Sequence, residues 1–161
     1  LARVVDDDGA QPEPRDRPRH ARDLLAPTLA QRPQPVFVFR DGITVPDIEV
    51  DDPDGDAELL VLGWGSTYGP IGAGARRVRA LGHKVAQAHL RHLNPLPANL
   101  GDVLARYRTV VVPEMNLGQL ASVLRARYLV DVKSYTKVAG LPFRAEELQD
   151  LFLDYLNGVR A

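Results

Sequence analysis

The sequence predicts an α/β domain with an open parallel sheet and helices on both faces. The segment Glu58 to Trp64 (ELLVLGW) is a continuous apolar run, typical of a strand that is covered on both sides. Further short apolar runs follow it, and amphipathic stretches with helical periodicity separate them. Because strands and helices alternate with short connections, the strands are expected to lie parallel in one sheet.

The elements are predicted in the following order. After the strand at 58–64, small and apolar residues share one side of a helix over 71–81, which Gly82 ends. A second strand covers 83–90, a helix 100–107, and a third buried strand 109–112. Asn116 is placed to cap a helix over 117–127. A fourth strand is predicted over 128–132 and a last amphipathic helix over 145–157, with Gly158 after it.

Composition divides the chain into two parts. Residues 1–58 carry 14 acidic and 7 basic side chains, whereas residues 59–161 carry 7 acidic and 13 basic ones. Six of the 13 prolines lie within residues 1–35, which contain few apolar residues to bury. We therefore expect residues 1–40 to be a Pro-rich, poorly ordered segment and residues 41–161 to be the folded domain.

Several classes of protein are excluded by composition. The chain has no cysteine, so it supplies no disulfide, thiolate nucleophile or cysteine ligand to zinc or iron. Its basic residues are scattered, which disfavours a nucleic-acid partner. Its apolar runs are far shorter than the ~20 residues of a membrane span, and no secretory leader is visible, so we expect a cytoplasmic protein. The acidic stretch 51–56 lacks the closing Glu of a calcium loop.

A glycine-rich turn, Gly63 to Gly69, joins the first long strand to its helix. Such a turn can present backbone N–H groups to a phosphate, or it can simply let the backbone pass close to its neighbours. The spacing is G-x-G-x-x-x-G, which differs from the dinucleotide-binding pattern. Ser66 is not in a serine-hydrolase elbow. The turn is left with three interpretations: a structural turn, a contact to an anion or to a partner's cofactor, and a dinucleotide site.

Polar side chains are predicted at the carboxyl ends of the strands, where α/β folds place ligands. Glu114 follows the third strand, and Lys133, Ser134, Thr136 and Lys137 follow the fourth. His89 and His92 end the second strand, but they lack the carboxylate or cysteine neighbours of a zinc site. No catalytic residue and no metal ligand is assigned. Trp64 has two interpretations, an interface anchor or a core residue.

Three segments together go beyond a generic α/β pattern: LVLGWGSTYGPIGAGARRVRALGHKVAQAHLRHLNPLPANL, VVVPEMNLGQL and YLVDVKSYTKVAGLPF. They resemble the carboxy-terminal domain of the alpha subunit of bacterial 2-oxoacid:ferredoxin oxidoreductases, most closely the 2-oxoglutarate type. The resemblance runs from about Gly42 onward and is densest over 59–143. Its most specific parts are the E-x-N-x-G-Q stretch, Glu114 to Gln119, and the G-x-G-S-x-x-G turn.

The resemblance implies a transketolase carboxy-terminal-like domain, in which a mostly parallel five-stranded sheet with one antiparallel strand lies between helices. It also implies an enzyme that uses thiamine diphosphate and magnesium, an iron–sulfur cluster, coenzyme A and ferredoxin, with a beta subunit as partner. In such enzymes this domain mainly builds subunit contacts. The interface or family-motif candidates are Gly63, Trp64, Gly65, Ser66, Tyr68, Gly69, His89, His92, Glu114, Asn116, Gly118 and Gln119.

The resemblance does not cover the start of the chain. Residues 1–40 do not look like the pyrimidine-binding domain that precedes this one in the family, so we expect a fragment or a misjoined reading frame, inactive by itself. Neither a cysteine nor a G-D-G…N thiamine-binding pattern is present. The alternative function is a free-standing nucleotide- or anion-binding module that uses the Gly63–Gly69 turn.

Overall fold

The computed structural model describes residues 45–160. In chain order the strands and helices are β1 (Val50–Asp51), β2 (Leu59–Trp64), α1 (Tyr68–Ala80), β3 (Val85–Leu90), α2 (Leu100–Arg106), β4 (Thr109–Glu114), α3 (Gln119–Tyr128), β5 (Val132–Thr136) and α4 (Ala145–Leu156). A 3₁₀ turn, Gly65–Thr67, connects β2 to α1. The prediction for residues 1–40 lies outside the described residues.

The five strands form one sheet in the order β1-β3-β2-β4-β5. Strands β3, β2, β4 and β5 are parallel, and β1 pairs antiparallel with β3 through Val50 opposite Ala88. Adjacent parallel strands joined through helices produce the crossover topology of α/β proteins. The mostly parallel sheet with one antiparallel strand, which the resemblance implied, is confirmed.

Each face of the sheet is covered by two helices because both faces of the central strands are apolar. On β2, Leu60 and Leu62 belong to the core beneath α2 and α3. Leu59 and Val61 alternate with them and belong to the core beneath α1 and α4. All four side chains are at most 1% exposed. This explains why β2 is a continuous apolar run and not an alternating one.

The position of the antiparallel edge strand β1 was not predicted, because two residues, Val50–Asp51, are too few to show a strand pattern. Side chains hold it in place more than the two-residue ladder does. The Asn99 amide accepts a bond from the Ile48 N–H at 2.8 Å and donates to the Ile48 carbonyl at 3.0 Å. Arg79 donates to both the side chain and the carbonyl of Asp51 at 2.8 and 2.7 Å. These contacts depend on distant residues, which local sequence patterns do not reveal.

The predicted fourth strand, 128–132, is wrong in position. Helix α3 continues through Tyr128, and Leu129 then takes a left-handed conformation, with φ 55°, that ends the helix. The strand begins only at Val132 and includes Lys133 and Ser134, which we placed in a loop. Because β5 is an edge strand with polar, partly exposed residues, it has the sequence appearance of a loop. Helix α3 also begins two residues later than predicted.

None of the helices within residues 45–160 has the length and hydrophobicity of a membrane span. The longest of those four α-helices, α1, has 13 residues.

Candidate functional site

The carboxyl ends of β2, β3, β4 and β5 lie along one edge of the sheet, as the sequence predicted. This edge carries the 3₁₀ turn after β2, the β3–α2 loop, the β4–α3 loop and the β5–α4 loop. The candidate residues differ in accessibility there. Three of the candidates are buried, namely Gly63, Glu114 and Gly118. Three are half-buried, namely Trp64, His89 and Asn116. The other six are exposed: Gly65, Ser66, Tyr68, Gly69, His92 and Gln119. The structure therefore brings them to one edge but not to one site.

Glu114 is fully buried and serves the start of helix α3. Its Oε1 accepts a hydrogen bond from the Leu120 N–H at 2.9 Å, and its Oε2 accepts one from the Ala121 N–H at 3.1 Å. A carboxylate at this position satisfies two otherwise unpaired N–H groups and faces the positive end of the helix dipole. The Trp64 indole Nε1 donates a third bond to it at 3.4 Å. Glu114 is thus a structural residue, with its oxygens occupied from within the domain.

Trp64 is neither fully exposed nor fully buried. Its ring packs against the core beneath α2 and α3, and its indole N–H donates a hydrogen bond to Glu114. Both contacts favour the core interpretation of Trp64 over an exposed anchor. The neighbouring Tyr68 is 62% exposed and is therefore more accessible to a partner than Trp64 is.

Asn116 was predicted to cap helix α3, but Gly118 is the N-cap residue, and Asn116 lies two residues before it. The Asn116 Oδ1 accepts hydrogen bonds from the Gly118 N–H at 2.7 Å and the Gln119 N–H at 3.3 Å. Gly118 has φ 85°, and a Cβ there would lie 2.7 Å from Ser134 Oγ. Only glycine fits both that backbone conformation and that space. The E-x-N-x-G-Q stretch is therefore explained by local structure at Glu114, Asn116 and Gly118.

The Gly63–Gly69 turn is closed by its own residues. The Thr67 hydroxyl accepts a bond from the Trp64 N–H at 3.1 Å and donates one to the Trp64 carbonyl at 2.8 Å. A Cβ at Gly63 would lie 2.6 Å from Ile71 Cδ1, so glycine permits close packing of β2 against α1. These contacts support the structural interpretation of the turn. Thr67 was not among the candidates, although its place in the turn was visible in the sequence.

A cavity of about 550 Å³ lies beside β1 and β3. Its lining includes Tyr68, His89, Arg91, Asp47 and Glu49. The His89 ring meets the Tyr68 ring edge-on at 5.0 Å, and His89 Nδ1 is buried without a hydrogen-bond partner among residues 45–160. Burial of the imidazole, together with the nearby Arg91 charge, lowers the pKa of His89 below its ordinary 6.5. Because the lining carries both signs of charge, it does not define a simple anion site.

The basic residues near the end of β5 are paired. Lys137 Nζ lies 2.6 Å from Glu147 Oε2, and the Tyr135 hydroxyl donates to Glu147 Oε1 at 3.1 Å. Although burial by itself acts to raise it, these hydrogen bonds hold the pKa of Glu147 below its ordinary 4.5. Lys133 pairs with Asp131 at 2.9 Å. Both lysines are therefore paired, and the bonds of Lys137 and Tyr135 to Glu147 fasten the β5–α4 loop to α4.

The residues present do not fit a metal or cluster site. Within residues 45–160 no three His, Asp or Glu side chains are grouped so that they could hold a metal ion. The whole chain has no cysteine for an iron–sulfur cluster. The edge does present some large apolar side chains to solvent, including Leu117 at 81% exposure and Val138 at 69%. The chemistry that this arrangement supports is protein–protein contact.

Comparison with known proteins gives close relatives but no match to a family model. The chain is similar to the 2-oxoglutarate oxidoreductase subunit KorA of Mycobacterium tuberculosis (strain ATCC 25618 / H37Rv), with 69% identity over 108 residues, which make up 67% of this chain and 16% of the relative. It is also similar to subunit alpha of 2-oxoacid:ferredoxin oxidoreductase 1 from Aeropyrum pernix, with 34% identity over 112 residues, or 66% of this chain and 18% of the relative.

Two solved structures have the same fold. The 2-oxoglutarate:ferredoxin oxidoreductase from Magnetococcus marinus, with 2-oxoglutarate, coenzyme A and succinyl-CoA bound, matches with a TM-score of 0.64 and 32% identity over 68% of this chain and 20% of that one. A split-gene transketolase, an inactive β4 tetramer, matches with a TM-score of 0.53 and 18% identity over 76% of this chain and 46% of that one.

The fold places the domain in the transketolase carboxy-terminal-like class, as the transketolase match shows at the level of fold alone. The relatives in sequence then indicate which proteins with this fold the domain is related to. The resemblance to alpha subunits of 2-oxoacid:ferredoxin oxidoreductases is confirmed, and the domain is homologous to a part of such subunits. The chain spans about one sixth of the length of the curated relatives that it matches.

Proposed function

We propose that the chain is the carboxy-terminal assembly domain of a 2-oxoacid:ferredoxin oxidoreductase alpha subunit, of the 2-oxoglutarate type. The observation that carries the proposal is the 69% identity to the KorA subunit over 108 residues. The site agrees with it, because Glu114, Asn116 and Lys137 are engaged in holding the domain together. An assembly domain needs a stable fold and accessible surface, and exposed apolar residues such as Leu117 support this role.

In this proposal the chemistry belongs to other parts of the enzyme. The complete enzyme decarboxylates 2-oxoglutarate with thiamine diphosphate and magnesium, passes electrons through an iron–sulfur cluster to ferredoxin, and transfers the acyl group to coenzyme A. The beta subunit is the direct partner, and the complex is cytoplasmic. This chain supplies neither a cysteine nor a metal-binding group within residues 45–160, so no step of the reaction is routed through it.

The alternative, a free-standing nucleotide- or anion-binding module, has no comparable support. Its turn, Gly63–Gly69, is stabilised by the Thr67 hydroxyl and closely packed at Gly63. No observation among the described residues favours a ligand there. It stays a hypothesis.

Complex formation tests the proposal. A relative's alpha subunit is expressed without the segment that matches this chain, together with its beta subunit, and we call this pair the truncated complex. The tagged full chain is then purified from cells that contain the truncated complex. We expect both other proteins to co-purify with it and to co-elute in size-exclusion chromatography. An unrelated α/β domain of similar size is the control. Failure of the full chain to retain either protein contradicts the proposed function.

A further inference from the structure

We propose that an apolar rim at the carboxyl edge is the surface through which this domain docks onto the remaining polypeptide of the oxidoreductase. The apolar rim consists of Tyr68, Leu117, Val138 and Leu141. The inference rests on the proposed function, and it adds the surface and the chemistry of the partner to it.

The members of the apolar rim lie on three neighbouring turns. Tyr68 follows the 3₁₀ turn after β2, Leu117 lies in the β4–α3 loop, and Val138 and Leu141 lie in the β5–α4 loop. The first two turns meet where the Ser66 hydroxyl approaches Met115 Sδ at 3.8 Å. The second and third meet where the Lys137 N–H donates to the Glu114 carbonyl at 2.9 Å. The three turns that carry the apolar rim are therefore adjacent to one another at the ends of β2, β4 and β5.

The exposure of these side chains is large for a domain with a well-filled core. Tyr68 and Leu141 are each 62% exposed, and Leu117 and Val138 are more exposed still. Clustered exposed apolar side chains mark contact surfaces, whereas single ones need no explanation. A few well-packed residues near the centre of an interface contribute most of its affinity, and Tyr, the residue type at position 68, is enriched among them.

Hydrogen bonds within the domain hold the turns that carry the apolar rim. Glu114 joins the end of β4 to the first turn of α3 and to the Trp64 indole at the end of β2. Lys137 and Glu147 fix the β5–α4 loop on the other side. Because these contacts order the three turns in the isolated domain, less entropy is lost on docking.

Charge indicates the chemistry of the partner. The three turns, residues 65–69, 115–119 and 137–144, contain only two charged side chains, Lys137 and Arg144, and no carboxylate. Lys137 is neutralised by Glu147, whereas Arg144 is exposed and forms no ion pair with another described residue. The apolar rim thus fits an apolar surface that carries a carboxylate opposite Arg144.

The remaining oxidoreductase polypeptide is a better occupant than a second copy of this chain. The matched segment makes up only 16% of the KorA relative, so most of the polypeptide that such a domain would contact lies outside this chain. A two-fold contact between two copies of the apolar rim would bring two Arg144 side chains together without a carboxylate from these turns to pair with them, which is unfavourable.

Matched double variants test the inference with the full chain and the truncated complex. In the first, Leu117→Ser and Val138→Ser remove apolar surface from the apolar rim. In the control, Leu81→Ser and Leu129→Ser remove apolar side chains that are 58% and 90% exposed but lie at the ends of α1 and α3, away from the carboxyl edge. We expect the first variant to be captured at least about tenfold less well, and the control to be captured like the original chain.

The outcomes separate the two proposals. Equal capture of both variants and the original chain overturns the docking surface but leaves the proposed function standing. No capture of the original chain contradicts the proposed function. A concentration-dependent dimer of the chain that the first variant abolishes shows that a second copy is the occupant, which also overturns the inference. Hydrogen exchange gives a measurement without substitutions: docking should slow exchange at 115–119 and 137–141, and protection confined to 81–84 and 129–131 contradicts the inference.

Discussion

The indole Nε1 of Trp64 donates a hydrogen bond to Oε1 of Glu114 at 3.4 Å, and so joins the ends of β2 and β4 across 50 residues of sequence. The same carboxylate accepts two N–H bonds from the first turn of α3. One buried charge thereby fixes a strand end, a helix start and the half-buried Trp64. A buried carboxylate is unfavourable unless hydrogen bonds satisfy it, and here all three donors come from the domain.

Replacing this carboxylate tests its structural role. In the Glu114→Gln variant the amide NH₂ faces backbone N–H donors, and at least one buried donor loses its partner. We expect the free energy of unfolding to fall by about 1–3 kcal/mol, measured by urea denaturation with circular dichroism. The control is Glu49→Gln, at an exposed residue, where a change within about 0.5 kcal/mol is expected. Equal stabilities of the two variants would show that Glu114 does not support α3.

The contribution of the Trp64–Glu114 bond can be isolated by a double-mutant cycle. Trp64→Phe keeps an aromatic ring in the core but removes the indole N–H. Its effect on stability should be smaller when Glu114 is already leucine, because leucine has no acceptor for the indole N–H. We expect a coupling energy of about 0.5–1 kcal/mol. Strictly additive effects of the two substitutions would mean that the bond contributes nothing to stability.

Leu129 has a backbone conformation that glycine adopts more readily. It ends α3 with φ 55°, and its side chain is 90% exposed, so little packing is lost by truncation. Relief of backbone strain outweighs the added freedom of the unfolded chain, so Leu129→Gly should raise the free energy of unfolding by roughly 0.5–1 kcal/mol. Leu81→Gly, at a residue with φ −87°, should instead lower it. A loss of stability in both variants contradicts this account of Leu129.

His89 makes stability depend on pH. Burial and the Arg91 charge lower the pKa of His89 below its ordinary 6.5, so the unfolded chain binds a proton more readily than the folded domain does. The resulting loss of stability begins as pH falls below 6.5 and continues until pH reaches the lowered value. An NMR titration of the imidazole should give a midpoint below 6.5, and His89→Gln should reduce the decrease in melting temperature between pH 7.5 and 5.0. A midpoint above 6.5 contradicts this prediction.

Local patterns were sufficient to predict most of the fold. The strands Leu59–Trp64 and Thr109–Glu114 are apolar because both of their faces are covered, and a continuous apolar run can be recognised from the sequence alone. The two edge strands, β1 and β5, were harder to predict from the sequence. β1 depends on Asn99 and Arg79, which are distant in sequence, and β5 is polar because one side of an edge strand meets solvent. Long-range contacts and edge exposure are not encoded in local periodicity.

The candidate edge was predicted more accurately than the roles of its residues. That Asn116 would accept bonds from nearby backbone N–H groups follows from its residue type, but the predicted cap position was two residues too early. Glu114 was placed where ligands bind in α/β folds, whereas the structure uses it inside the domain. The bond from Trp64 and the exposure of Leu117 both depend on how β2, β4 and α3 meet in space. Such relationships require coordinates.

The central claim is that this domain supports a 2-oxoglutarate:ferredoxin oxidoreductase without performing its chemistry. The most direct measurement is 2-oxoglutarate-dependent reduction of a viologen dye, with thiamine diphosphate, magnesium and coenzyme A supplied. The assay compares the full chain alone, the truncated complex alone and the two together. We expect reduction only in the mixture, at a rate that saturates with added chain. Reduction by the full chain alone, or a mixture no more active than the truncated complex, would contradict the account.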